Sequence, residues 1–192
     1  MAHPTDLPTR TFASQQDWED WLVGNCEQAP GGWLQIAKKA SGIASVTYDE
    51  ALEVALCFGW IDGLKKTFDE RFFIQRFTPR RPRSKWSQRN VGIVEQLTKQ
   101  KKMRPSGLRE VELAKADGRW AAAYSGPKDA EPHPDFLAAL AKDRKAKRFF
   151  DSISKRNQYA IYFRVHDAKR EETRRRRIEQ FVAMLAEGKK IY

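Results

Sequence analysis

The sequence predicts an α+β protein, with a small antiparallel sheet and helices in the N-terminal half and a helical bundle in the C-terminal half. Two neighbouring segments, Ile61–Phe68 and Arg71–Phe77, flank a short polar turn, and the second segment alternates the residues of its two faces. This pattern favours a β-hairpin. After the proline-containing stretch 78–86, nearly every segment has helical spacing of its apolar residues. With 41% hydrophobic residues, the chain has enough apolar material for a core.

The elements of the N-terminal half carry their own start and stop signals. Ser14 can cap a first helix that has Asp17 in its first turn. Thr47 and Glu50 form a capping box for a second, strongly apolar helix that Gly59 would end. Trp33–Ala37 is predicted to be a third strand. The hairpin would turn at Asp69–Glu70, and Phe73, Gln75 and Phe77 would share one face of its second strand.

Helices are predicted for the rest of the chain, with Ser106 and Ser154 as caps. Their predicted spans are 87–102, 106–116, 134–142, 145–153, 154–166 and 169–187. The proline- and glycine-rich stretch 124–134 is the predicted linker. We therefore expect a flexible arm over 1–11, an α+β region over 12–123 and a helical region over 135–192 that packs on it.

Charge is distributed unevenly along a chain whose net charge is +11. Residues 1–64 hold 3 Lys or Arg against 9 Asp or Glu, residues 65–120 hold 16 against 6, and residues 121–192 hold 17 against 10. A basic field of this size favours encounters with polyanions, although it also serves solubility alone.

Several classes of protein are excluded. Two cysteines outside any CxxC, and three histidines without ligand spacing, argue against a disulfide scaffold and a metal site. Nucleotide, dinucleotide and nucleophile-elbow motifs are missing, so we predict no cofactor and no catalytic residue.

No apolar run approaches the roughly 20 residues of a membrane helix, so we expect no membrane insertion. The first ten residues lack an apolar signal region, and we expect a cytoplasmic location.

The strongest candidate site is the basic stretch 75–90. Guanidinium groups can fork onto phosphate, and an aromatic ring can stack on a base. Prolines stiffen the stretch, which lowers the cost of ordering it. The alternative is a solvated loop whose Trp86 is core and whose arginines pair with the acidic first third. The residues proposed here to bind a polyanion are Arg76, Arg80, Arg81, Arg83, Lys85, Trp86 and Arg89.

A second candidate lies on the last helix, where Arg170, Arg174 and Arg177 share one face. Such a face can follow the backbone of a nucleic acid. The alternative is a solvated face stabilised by ion pairs between the glutamates and arginines of the same helix.

A third candidate is a ligand site at Trp60, Asp62 and Lys65. A carboxylate beside a turn glycine and facing basic residues could contact a ligand or act as an acid or base. The alternative is a structural aspartate in a buried ion pair or an Asx turn.

Several strings occur together in this order: AKKASG at 37–42, CFGWIDG at 57–63, QRFTPRR at 75–81, SKWSQRN at 84–90 and AKADGRW at 114–120. With AKR at 168–170 and ETR at 172–174 in the region 149–192, the sequence closely resembles the YdeI/OmpD-associated family, also described as bacteriocin-protection proteins. The resemblance implies a link to stress or antimicrobial-peptide resistance and to an outer-membrane porin. It provides no catalytic residue.

Together these observations predict a non-enzymatic protein associated with stress or bacteriocin protection, with a basic face that binds a polyanion, most simply nucleic acid. A module that binds a protein partner or a small anionic ligand is the alternative. An enzyme that uses Asp62 and Lys65 is a third hypothesis.

Overall fold

A computed structural model describes residues 7–192 and divides the chain into two compact units, one ending at Ala123 and one beginning at Tyr124. Each unit has its own apolar core. The boundary falls at the start of the predicted linker. That the helical region packs on the α+β region stays a prediction.

The first unit contains a four-stranded mixed sheet in the order β1-β2-β4-β3. Its strands are β1 (Thr9–Thr11), β2 (Gly32–Ala37), β3 (Trp60–Thr67) and β4 (Phe72–Pro79). The α+β class and the β3–β4 hairpin are confirmed, with Asp69 accepting two backbone N–H groups at the turn. Strand β4 runs to Pro79, where a proline is tolerated because the strand ends there.

Strand β1 differs from the prediction, which assigned residues 1–11 to a flexible arm and gave the sheet three antiparallel strands. Thr9–Thr11 pairs in parallel with Trp33–Gln35. A strand of three residues is too short to show a recognisable alternation of apolar and polar residues. Thr9–Thr11 is a strand because its backbone pairs with β2. The rest of the predicted arm, residues 1–6, lies outside the described residues.

Two helices pack beside the sheet, α1 (Gln15–Asn25) and α2 (Tyr48–Cys57). The predicted cap at Ser14 and the predicted capping box at Thr47 are present, and Ser14 also forms a capping box, with Asp17. Gly59 follows α2 with φ of 77°, as a glycine at this position favours. The ring N–H of the buried Trp18 donates to the carbonyl of Ala51 and ties α1 to α2.

Helices α3 (Gln88–Lys99) and α4 (Pro105–Ala116) complete the first unit. The predicted cap at Ser106 is wrong, because α4 begins at Pro105 with Arg104 as its N-cap. Proline suits the first helical position, where no N–H is needed. The backbone N–H of Arg104 donates to the carbonyl of Cys57 at 3.1 Å, so the start of α4 meets the end of α2.

Ion pairs join the acidic first third of the chain to the basic middle third within the first unit. Arg104 pairs with Glu19 at 2.6 Å, and Arg109 pairs with Glu27 at 3.3 Å. Part of the positive charge of residues 65–120 is therefore neutralised by ion pairs within the first unit.

The second unit is helical, with α5 (Pro134–Ala141), α6 (Arg144–Ser152), α7 (Lys155–His166) and α8 (Glu171–Ala186). Ser154 caps α7 as predicted. Phe136, Ile161 and Leu185 are fully buried in the core of this unit. Across residues 7–192, none of the helices has the length and apolar character needed to cross a membrane.

Candidate functional site

Two of the predicted anion-binding residues lie inside the first unit. The Arg80 guanidinium carbon sits 3.4 Å from the centre of the Trp86 ring, and the two residues are only 7% and 2% exposed. Trp86 meets Trp120 edge to face at 4.8 Å. Arg80 and Trp86 therefore support the surface from beneath, and their ring and guanidinium faces are covered.

The basic loop, residues 80–86, is held in place by hydrogen bonds along its backbone. Its first N–H, on Arg80, donates to the carbonyl of Gly59 at 3.0 Å. The Arg80 side chain donates to the carbonyl of Lys85 at 3.2 Å. The N–H of Arg81 donates to Ser84 Oγ at 2.9 Å. These contacts fix the loop although it has no regular structure.

Arg119 is a supporting residue that no sequence pattern singled out. Its Nε lies 2.7 Å from one carboxylate oxygen of Asp117, and its Nη1 donates to the carbonyl of Ser84 at 3.0 Å. The side chain is 12% exposed. Arg119 follows an Asp-Gly turn, and its side chain reaches back across 35 residues to the loop. No local pattern indicates that contact.

The loop directs three cations outward. Arg81, Arg83 and Lys85 are all exposed. Arg89, at the start of α3, is also exposed, but it pairs with Asp49 at 2.7 Å. The structure thus divides the predicted set into supporting residues inside and cations at the surface.

A β-bulge in β3 places Arg76. Asp62 pairs with Phe77 whereas Lys65 pairs with Gln75, so β3 has one residue more than β4 over this span. The buried Gln75 side chain donates to the carbonyl of Gly63 at 2.9 Å. A Cβ on Gly63 would lie 2.9 Å from Arg76 Nε, so the guanidinium rests directly against this glycine.

A cleft of about 550 Å³ opens beside this bulge. Asp62 and Gly63 of β3, Arg76 of β4, and Arg81 and Ser84 of the basic loop contribute to its walls. Among residues 7–192, Arg76 Nε is buried and has no hydrogen-bond partner. A buried donor without a partner is rare, and it makes Arg76 the most distinctive group in this cleft.

Asp62 is held by a short polar chain. The Tyr48 hydroxyl donates to Asp62 Oδ2 at 2.9 Å, and Arg89 donates to the Tyr48 oxygen at 3.3 Å. Burial, reinforced by the Asp62 charge, raises the pKa of Tyr48 to about 12. Tyr48 therefore keeps its proton at neutral pH and acts as the donor in this hydrogen bond.

The third candidate site is not brought together as a unit. Trp60 is 1% exposed, and its ring N–H donates to the carbonyl of Cys26. Lys65 Nζ lies 3.8 Å from the centre of the Phe73 ring. Of the three residues, Asp62 is the one that lines the cleft.

On α8, two of the three predicted arginines are partly buried and contact the second unit itself. Arg174 pairs with Asp135 at 3.3 Å. Arg177 donates to the carbonyl of Arg164 and lies 3.8 Å from Asp167. Arg170 is exposed at the N-cap, and Arg175 and Arg176 on the opposite side are exposed too. The exposed arginines of α8 are therefore mostly not the three that were predicted to form one face.

Metal-ligating side chains are scattered. Within the part of the chain that the structure describes, no three His, Cys, Asp or Glu side chains lie close enough to share a metal ion. Burial raises the pKa of the Cys57 thiol to about 11, so this cysteine is a protonated core residue at neutral pH.

The first unit, which contains the basic loop, matches a known family model over most of its length. Residues 10–110 match the family model described as a domain of unknown function, DUF8412, and the chain belongs to that family. Residues 129–188 of the helical unit match the OmdA model, described as bacteriocin-protection, YdeI or OmpD-associated. This second match confirms the predicted resemblance and indicates a role associated with bacteriocin protection. No curated protein and no solved structure matches the chain.

Proposed function

We propose that the protein is a non-enzymatic polyanion-binding protein associated with bacteriocin protection, and that nucleic acid is the polyanion its basic loop fits best. One observation carries the proposal: Arg81, Arg83 and Lys85 are exposed on a loop whose backbone is fixed by buried contacts. Cations that serve only solubility need no such support.

The fixed backbone of the basic loop matters because a ligand that orders a flexible loop loses affinity to the entropy of that ordering. A flexible loop loses conformational freedom when its side chains engage a ligand, and this loss weakens affinity. Here the Arg80–Trp86 stack and the Arg119 contact fix the loop before any ligand arrives. Three cations within five residues can then meet successive phosphates of one strand.

Binding is expected to be independent of base sequence. The sequence left Trp86 either as a stacking platform for a base or as a core residue, and in the structure its ring is covered. Contacts from arginine and lysine to phosphates fix position on a duplex without reading bases. The protein should therefore bind duplexes of different sequence with similar affinity.

Fluorescence polarisation with a labelled 20-base-pair duplex tests this proposal. Replacing Arg83 and Lys85 with glutamine should weaken binding roughly tenfold, since two phosphate contacts are lost. The matched control replaces Arg71 and Lys99, two exposed cations of the first unit outside the loop, with Arg71 at the opposite end of β4. The control should bind like the unmodified protein. Equal weakening in both variants would show that only net charge matters and would contradict the proposal.

A protein partner is the second candidate function, favoured by the outer end of the hairpin. Leu64 and Phe68 are 55% and 54% exposed there, at the edge strand of the sheet. Exposed aromatic and aliphatic side chains at a sheet edge are common anchors of protein interfaces. If this is the functional surface, Phe68→Ser should abolish recovery of one stoichiometric partner after nuclease treatment. It should leave duplex binding unchanged.

A further inference from the structure

We infer that the cleft beside the β3 bulge is a binding site for a small phosphorylated sugar. It shares Arg81 with the polyanion-binding surface proposed above, but its central group is Arg76 inside the cleft, and Arg83 and Lys85 lie outside its walls. Its volume of about 550 Å³ falls within the range of small-molecule sites.

Arg76 and Arg81 are the two cations that line the cleft. Arg76 rests against Gly63, where the missing Cβ leaves the guanidinium its place, and its buried Nε has no hydrogen-bond partner within residues 7–192. Arg81 lines the same cleft from the basic loop, next to Ser84. Arginine presents several N–H donors in a fixed fork, which matches the oxygens of a phosphate group.

Asp62 adds a hydrogen-bond acceptor to the lining of the cleft. Tyr48 donates to one of its two carboxylate oxygens and fixes its orientation. An ionised carboxylate has about four acceptor positions, so Asp62 retains the capacity to accept from a ligand hydroxyl. A carboxylate would repel a bare anion, and it favours a ligand that carries hydroxyl groups besides its anionic group.

The remaining walls favour a sugar over a nucleobase. Ile61, Pro30 and Pro79 supply aliphatic surface, and the described residues that line the cleft include no aromatic ring on which a base could stack. Two arginines against one aspartate leave an excess of one positive charge. An anionic phosphate joined to a hydroxylated ring satisfies all of these features.

The same chemistry occurs in a free sugar phosphate and in the 5′-phosphorylated end of a nucleic acid. Both carry a phosphate monoester joined to a sugar. Titrating the full chain with ribose 5-phosphate, and separately with 5′-phosphorylated and 5′-hydroxyl hexanucleotides, distinguishes the two sources. Preference for the phosphorylated over the hydroxyl hexanucleotide identifies a nucleic-acid end. Binding of ribose 5-phosphate without that preference identifies the free sugar.

Isothermal titration calorimetry of the unmodified protein and five variants tests the inference. Ribose 5-phosphate should bind, ribose should not, and inorganic phosphate should bind at least about tenfold more weakly. Arg76→Gln should weaken binding of ribose 5-phosphate at least about tenfold through loss of charge-assisted hydrogen bonds. Arg71→Gln, the same change at the far end of β4, should have no effect. Asp62→Asn should reduce the preference for ribose 5-phosphate over inorganic phosphate.

Gly63→Ala provides a second test that retains the charge of Arg76. Its Cβ would displace the guanidinium, so binding should fall as it does in Arg76→Gln, while thermal unfolding shows that the fold persists. Replacing Arg83 and Lys85 should leave ribose 5-phosphate binding intact, which separates this site from the duplex-binding surface. No saturable binding of ribose 5-phosphate, equal binding of inorganic phosphate, or equal loss in Arg71→Gln would overturn the inference.

Discussion

The contact between the start of α4 and the end of α2 gives the sharpest stability prediction. Gly107 lies in the first turn of α4, and a Cβ built there would lie 2.1 Å from the carbonyl oxygen of Cys57. Carbon and oxygen atoms approach to about 3.3 Å at closest in ordinary contacts. Gly107→Ala must therefore move α4 by about 1 Å against backbone that cannot yield.

The size of the effect follows from what α4 contributes. Forcing extra volume into a packed interface costs about 1–3 kcal/mol. The shift also strains the hydrogen bond from Arg104 N–H to Cys57, worth about 1 kcal/mol, and loosens the buried Val111 and Ala114. Alanine returns about 1 kcal/mol through its higher helix propensity. We expect a net loss of about 1–3 kcal/mol in the free energy of unfolding.

Gly92→Ala is the matched control. Gly92 lies in the middle of α3, and a Cβ there meets nothing within 4 Å. The same substitution should stabilise the protein at this position by about 0.5–1 kcal/mol. All six tryptophans lie between residues 18 and 120, so tryptophan fluorescence during urea unfolding reports on the first unit. Stabilisation by both substitutions would refute the close approach of α4 to α2.

Three further predictions concern single side chains. His133 Nδ1 accepts the Asp135 N–H at the start of α5, and burial, with the charges of Arg174 and His166, lowers its pKa. The unfolded chain then binds more protons, so stability should fall as pH drops below about 6.5. His133→Asn, monitored by circular dichroism, should reduce that fall, and an unchanged pH profile would contradict it. Lys101 has φ of 58° after α3, so Lys101→Gly should raise the free energy of unfolding by about 0.5–1 kcal/mol, and a loss would contradict the strain. Arg119→Gln should weaken duplex binding although Arg119 is not a surface cation, because Ser84 loses its support. Unchanged affinity would show that the Arg119 contact with the loop does not contribute to duplex binding.

Local signals predicted the helices of the first unit well. The capping boxes at Ser14 and Thr47 and the glycine after α2 depend on residues within four positions of each other, and the sequence contains all of them. Strand β1 was missed because Thr9–Thr11 becomes a strand only through its pairing with β2. The start of α4 was missed by one residue because the Ser106 cap prediction passed over Pro105, although proline suits the first helical position.

The sequence marks the basic loop as a candidate site, but it does not show how the residues of the loop divide between covered and exposed positions. A run of arginines and a tryptophan marks the basic loop, yet composition does not show which guanidinium is covered. Arg80 and Trp86 stack on each other because the loop folds back over Trp120. Arg76 gains its place from the bulge and from Gly63, and Arg119 reaches the loop from a distant turn. Contacts of this kind depend on tertiary structure and leave no local pattern.

The most direct test of polyanion binding by the basic loop is the salt dependence of its affinity for duplex DNA. Each phosphate contact contributes about −0.9 to the slope of log affinity against log salt concentration. Three loop cations predict a slope of about −2.7, and the variant with Arg83 and Lys85 replaced should retain about −0.9. A flat response in the unmodified protein, or the same slope in both proteins, would contradict the account.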